Sequence, residues 1–192
     1  MSADIGRMPR TGRSHASQFP LSALAWVGAP IALGVAIWVS TLVHVGPGWL
    51  EAALFVHLAS VVVGLGAVLV ADYFAALWVL RLGTLDEMVA GTQRLHLPIW
   101  LGMIGLVSSG MLLGPDLSAD TTRLKLALVF ALLLNGLYAR ALGGRMAAAG
   151  TAVGTGLLVR GVLTSVVSQA CWWGAVWIGF AAAQARSAIG RL

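Results

Sequence analysis

Five stretches of the chain, about residues 22–43, 51–80, 96–114, 123–142 and 157–183, are apolar and separated by short polar, glycine- or proline-bearing segments. Roughly 20 apolar residues rising ~1.5 Å each cover the ~30 Å of a bilayer's hydrocarbon. None shows the alternation of a membrane barrel strand. The pattern predicts an all-α fold, a polytopic membrane helical bundle of about five transmembrane helices. Between the second and third, "TLDEMVAGTQRLHLPIW" pairs Thr84 with Glu87 as a capping box and carries a partial apolar stripe of Leu85, Met88, Val89 and Leu95. This predicts a short interfacial helix on the cytoplasmic face, with Pro98 near the start of the third span, where its missing N–H costs least. A continuous helix kinked at Pro98 is the alternative. Gly114-Pro115 ends the third helix, and the small-residue stretch "GGRMAAAGTAVGTG" reads as the linker to the fifth. A disordered cytoplasmic tail over 1–20, a single bundle domain over 21–185 and a short tail over 186–192 complete the expected organisation.

Composition agrees with this class: 59% of residues are hydrophobic and 10% charged, with mean hydropathy +0.90, far from the soluble average of about a quarter charged. The charge instead sets orientation. With the amino terminus in the cytoplasm, Arg7, Arg10, Arg13, Arg81, Arg94, Arg140, Arg145 and Arg160 lie inside, and Arg123, Lys125, Arg186 and Arg191 outside. The expectation is N-in and C-out. Basic residues scattered singly between apolar spans do not form a nucleic-acid footprint. The first apolar stretch is too long for a signal-peptide core and lacks a clean small-residue cleavage site. Arginine outnumbers lysine 11 to 1, a compositional association with GC-rich bacteria, so the location expected is a bacterial cytoplasmic membrane. Cys171, the single cysteine, has no internal disulfide partner and reads as a small core residue.

The succession "VHLASVVVGLGAVLVADYFAALWVL", "TLDEMVAGTQRLHLPIWLGMIGLVSSGMLL" and "RLKLALVFALLLNGLYAR" resembles a family of small bacterial polytopic membrane proteins. The resemblance covers residues 56–140 and rests on His57, Gly64, Gly66, Asp72, Glu87, Trp100, Gly102, Ser109, Gly110, Lys125, Asn135 and Gly136. It implies a fold and no particular activity. More distantly, the layout is similar to copper-resistance-D-like proteins and small b-type cytochromes, in which histidines on bundled helices hold copper or haem; that likeness is an analogy of layout.

Helical rise sorts the polar residues by depth. On the second helix His57 lies about 15 Å outside the middle and Asp72 about 7 Å inside it, and their fifteen-residue spacing leaves them within about 60° in azimuth. Both therefore look into the bundle, on a face with Ser60 and Gly64 suited to close helix contact. An outer layer holds His57, Lys125, Met111 and either Ser108 or His44; an inner layer holds Asp72, Tyr73, His96, Asn135 and Tyr138. His57 and His96 fall more than ~20 Å apart along the normal and cannot clamp one haem. His57, with Met111 or His44, is the expected haem or copper site, against a plain interfacial histidine. Lys125 reads as snorkelling to outer headgroups. Asp72, toward the hydrocarbon, must be paired, protonated or facing water. Trp49, Trp78 and Trp100 suit an aromatic belt, and Trp172, Trp173 and Trp177 suit packing on the fifth helix.

Gly64-x-Gly66 lacks the third glycine and the βαβ unit of a dinucleotide fingerprint. No nucleophile–base set, carboxylate pair, zinc spacing or Walker lysine is present, so hydrolase chemistry has no support. Three functions stay open: b-type haem or copper binding in membrane electron transfer or as an anchor subunit of a redox complex; a proton- or ion-coupled carrier using Asp72; and a non-catalytic assembly subunit. The partners expected are the bilayer and a membrane protein or second copy, and no nucleic acid.

Overall fold

The computed structural model describes residues 18–189, and in side-chain detail residues 24–150 and 152–185. It is all-helical: α1 Gln18–Ser40, α2 Pro47–Val79, α3 Leu85–Leu112, α4 Asp120–Ala149 and α5 Thr155–Ile189, with a 3-10 turn over Gly150–Ala152 before α5. The predicted amino-terminal tail up to residue 17, with Arg7, Arg10 and Arg13, and residues 190–192 lie outside the described residues. Among the described residues, α2 to α5 are long and apolar enough to cross a membrane, whereas the apolar part of α1, Leu24–Ser40, is shorter. Large apolar side chains cover the perimeter, including Phe55, Val62, Leu101 and Trp177, as expected where the surrounding medium is hydrocarbon and not water.

Two element boundaries differ from the sequence pattern. The separate interfacial helix does not form; α3 runs unbroken from Leu85 with Pro98 inside it, the continuous form that the sequence left as the alternative. Its capping box does form, Glu87 N donating to Thr84 Oγ1 and Thr84 N to the Glu87 carboxylate. The apolar stripe buries against protein: Val89 packs with Leu142 and Met146, joined by Leu85 and Met88, and Gly91 gives the Phe74 ring room against α3. The same contacts carry α4 past Leu142 to Ala149, through the first part of the expected linker. Gly143-Gly144 lowers helix propensity but breaks nothing once Met146 is docked and the Gly143 carbonyl accepts from Gln93 Nε2 at 3.0 Å.

The helices pair as two hairpins. α2 packs chiefly on α3 and α4 chiefly on α5, α2 touches α5 at few points, and α1 lies across α3 and α4. The α2–α3 seam is close because Ser60 and Gly64 face Gly102 and Gly105: a methyl at Gly102 would fall 2.5 Å from Gly64 Cα and 2.9 Å from the Ser60 carbonyl oxygen. The turn joining these helices is a Schellman-type cap, with Arg81 N donating to Trp78 O and Leu82 N to Leu77 O. It places Arg81 at φ 61°, a position glycine usually fills. At the opposite end, hydrogen bonds from the side chain and then the backbone N–H of Ser118 hold the Asp116 carboxyl below the usual carboxylate range. The two ends are called below the Arg81 end and the Pro115 end.

Candidate functional site

Two cavities lie among the helices and share lining residues. The larger, about 610 Å³, lies toward the Pro115 end and is lined by all five helices; the smaller, about 330 Å³, lies toward the Arg81 end between α2, α3, α4 and α5. Met103, Leu132 and Trp172 line both. Trp172, only 2% exposed, reaches from α5 to Gly64 of α2, where a methyl would fall 2.6 Å from its Cη2. The two-layer expectation thus takes the form of two cavities separated by an apolar partition.

His57, Lys125 and Met111 line the larger cavity together. His57 Nδ1 lies 3.0 Å from Ser109 Oγ, and Ser109, 3% exposed, has its hydroxyl 2.5 Å from the Gly105 carbonyl one turn back. Two oxygens at that separation need a proton between them, and a serine has one to give. In the neutral tautomer protonated at Nδ1, His57 donates to Ser109 and leaves a lone pair on Nε2. Gly110 lies beside the imidazole, where an added methyl would sit 3.6 Å from His57 Cε1, at ordinary contact distance. Lys125 Nζ reaches the α5 side, 3.9 Å from where a methyl on Gly179 would lie. Ser108 turns its hydroxyl to the Ile104 carbonyl, and His44 is exposed in the loop after α1; neither lines this cavity. The structure brings together His57 and Met111 and leaves His44 out.

In the smaller cavity Asp72 bridges the hairpins. Ser165 Oγ donates to Asp72 Oδ1 at 2.5 Å, Gln169 Nε2 donates to Asp72 Oδ2, and Trp173 Nε1 donates to Gln169 Oε1 at 2.8 Å. This relay fixes the orientation of the Gln169 amide: were it reversed, both of its bonds would be lost. His96 and Asn135 line the same cavity, but Asn135 Nδ2 donates to the Thr164 carbonyl at 2.9 Å and not to Asp72. Tyr73 is 59% exposed on the outer face, and Tyr138 packs against the Val89, Leu142 and Met146 cluster. The inner layer keeps Asp72, His96 and Asn135 at one cavity and places the two tyrosines elsewhere. Trp78 and Trp100 also line this cavity, while Trp172 joins the core with Cys171.

Of the residues that complete the two networks, Ser165 and Gln169 come from outside those the sequence singled out, and Ser109 stood only among those that carry the resemblance. Ser165 and Gln169 carried a readable signal: Thr164, Ser165, Ser168 and Gln169 form a polar patch in the middle of apolar α5. Ser109 carried less, because only helix azimuth separates it from Ser108. Among the described residues no three His, Cys, Asp or Glu side chains converge as a metal-ion site. Comparison of the chain with family models, curated proteins and solved structures finds no match.

Proposed function

We propose that this chain is an integral protein of the bacterial cytoplasmic membrane, amino terminus inside, that holds a b-type haem in the larger cavity with His57 as an axial ligand. The observation that carries the reading is the His57–Ser109–Gly105 chain, which leaves the Nε2 lone pair on a ring lining an apolar cavity of about 610 Å³. A ligating histidine whose other ring nitrogen is spent on a hydrogen bond is the usual arrangement for fixing the ligating tautomer. Met111 is the second axial candidate and Lys125 the cation for a propionate, both lining the same cavity. Haem is favoured over copper because one or two axial donors suffice for it, whereas a protein copper site ordinarily gathers three. The bound group would supply one-electron transfer, with a redox subunit or a second copy as the partner class.

The test is the absorption spectrum and metal content of protein purified in mild detergent from cells supplied with iron and copper. A Soret band lost in His57→Ala and kept in His15→Ala is expected. Colourless, metal-free wild type overturns the reading.

A second reading, a proton- or ion-coupled carrier, draws support from the two cavities divided by Trp172 and from Asp72 spanning the seam between hairpins. There Asp72→Asn abolishes transport into vesicles without lowering stability; retained transport removes Asp72 from the mechanism.

A further inference from the structure

Asp72 stands on an apolar helix long enough to cross a membrane, and it has no counter-charge there. Among the described residues no arginine, lysine or histidine forms an ion pair with it, and its oxygens accept from the neutral Ser165 and Gln169. A carboxylate at that depth must hold a proton, face water or meet a cation from outside the chain. The cavity beside it, about 330 Å³, is lined by Trp78, Trp100 and Trp172 and by the adaptable Met88 and Met146. That volume lies at the lower end of the ~300–1,000 Å³ of small-molecule sites.

The lining favours a soft cation over a metal ion. Among the described residues no group of three His, Cys, Asp or Glu gathers to replace a metal ion's water. A quaternary cation needs neither donor nor acceptor, so the hydrogen bonds on Asp72 stay in place, and it draws on negative charge and aromatic surface together. Val79 and Val162 line the cavity and are also exposed on the perimeter; the cavity therefore opens toward the bilayer between α2 and α5, where a lipid-soluble ligand enters. The other titratable side chain of the lining is His96. Uncharged it adds a ring to the wall, and protonated it repels a cation, so protons on Asp72 and on His96 oppose binding alike.

We propose that this cavity binds a lipid-soluble organic cation of the quaternary ammonium class, its charge set against the Asp72 carboxylate and its carbon against the tryptophans. The proposal rests on the carrier reading and names the substrate class: the carboxylate holds either one proton or one such cation, so one leaves as the other enters and charge balances. His57, Met111 and Lys125 take no part, and haem in the larger cavity is a separate matter.

The test is equilibrium binding of radiolabelled benzyltrimethylammonium to the full chain in lipid nanodiscs, with empty nanodiscs as the blank. Saturable binding near one molecule per chain is expected, weakening as the pH is lowered and undisturbed by an excess of neopentylbenzene, the uncharged isostere. Asp72→Asn weakens it about tenfold or more, and Glu51→Gln, at an exposed position of the same helix, leaves it unchanged. If Asp72→Asn fails to insert, Ser168→Leu, which adds carbon at the cavity lining from α5, replaces it and also weakens binding. Absence of saturable binding to wild type, or undiminished affinity in the inserted variant, overturns the proposal. Uptake into vesicles driven by an outward proton gradient separates the two readings: binding without such uptake upholds the cation site and removes the carrier, whereas Asp72-dependent proton flux without binding keeps the carrier and overturns the substrate class.

Discussion

Adding one methyl group at Gly102 tests whether the α2–α3 seam is as close as the structure has it. In Gly102→Ala the new carbon would lie 2.5 Å from Gly64 Cα, 2.6 Å from Gly64 N and 2.9 Å from the Ser60 carbonyl oxygen. All three are backbone atoms, so no side chain can swing away. Ordinary contact begins at 3.4 Å, and the helices must part by about 0.9 Å at this crossing to accommodate the methyl, loosening contacts along the seam. Overpacking of this kind costs about 1–3 kcal/mol. Alanine's better helix propensity returns up to ~1 kcal/mol, so a net loss of about 1–2 kcal/mol is expected. Gly66→Ala is the internal control: on the same hairpin nothing lies within 4 Å of its added carbon, and it should hold or raise stability. The assay is reversible unfolding in mixed micelles with increasing dodecyl sulfate, followed by circular dichroism. Gly102→Ala as stable as Gly66→Ala would refute the close seam and, with it, the placement of Ser109 beside His57.

Further substitutions probe the two cavities and one turn. Asp72→Asn keeps Ser165 and Gln169 partnered if its amide nitrogen faces Ser165, so its stability should stay within about 1 kcal/mol of wild type, whereas Asp72→Leu strands both donors and should cost about 2 kcal/mol or more in the same unfolding assay; equal losses would deny the bridge between hairpins. Ser109→Ala removes the acceptor for His57 Nδ1–H and should weaken haem retention about 10- to 100-fold in a haem-transfer assay; unchanged retention would separate Ser109 from the ligand. Arg81→Gly relieves a left-handed backbone position at φ 61° and should stabilise the protein by about 1 kcal/mol; a lower melting temperature would deny that geometry. An alkaline-phosphatase fusion after Gly83 should be inactive and one after Leu192 active; the reverse pattern would invert the proposed orientation.

The helical class, four of the five long apolar segments and the inward face shared by His57 and Asp72 were legible in the sequence because helical period and bilayer length act locally. What escaped depended on tertiary contact. Leu85, Met88 and Val89 have the pattern of a stripe resting on a membrane surface, and only the extended end of α4 shows that protein covers them. Gly143-Gly144 reads as a break until Met146 is seen buried beyond it. Depth placed Asp72 level with Asn135 and Tyr138, but depth carries no azimuth between helices, and the partners came from α5, whose Ser165 and Gln169 stand at the same level facing α2. His57 and Met111 were grouped by depth and do line one cavity. The choice between Ser108 and Ser109 turned on a single helical step that depth alone does not resolve.

The most direct test of the central claim is chemical rescue at the His57 position. Haemin is titrated into purified His57→Gly with and without added imidazole, and the Soret band is read against wild type. The account predicts one haem per chain in wild type, no stable band in His57→Gly alone, and a band restored by imidazole occupying the vacated space beside Gly110. A band in His57→Gly that needs no imidazole, or no band in wild type, would contradict it.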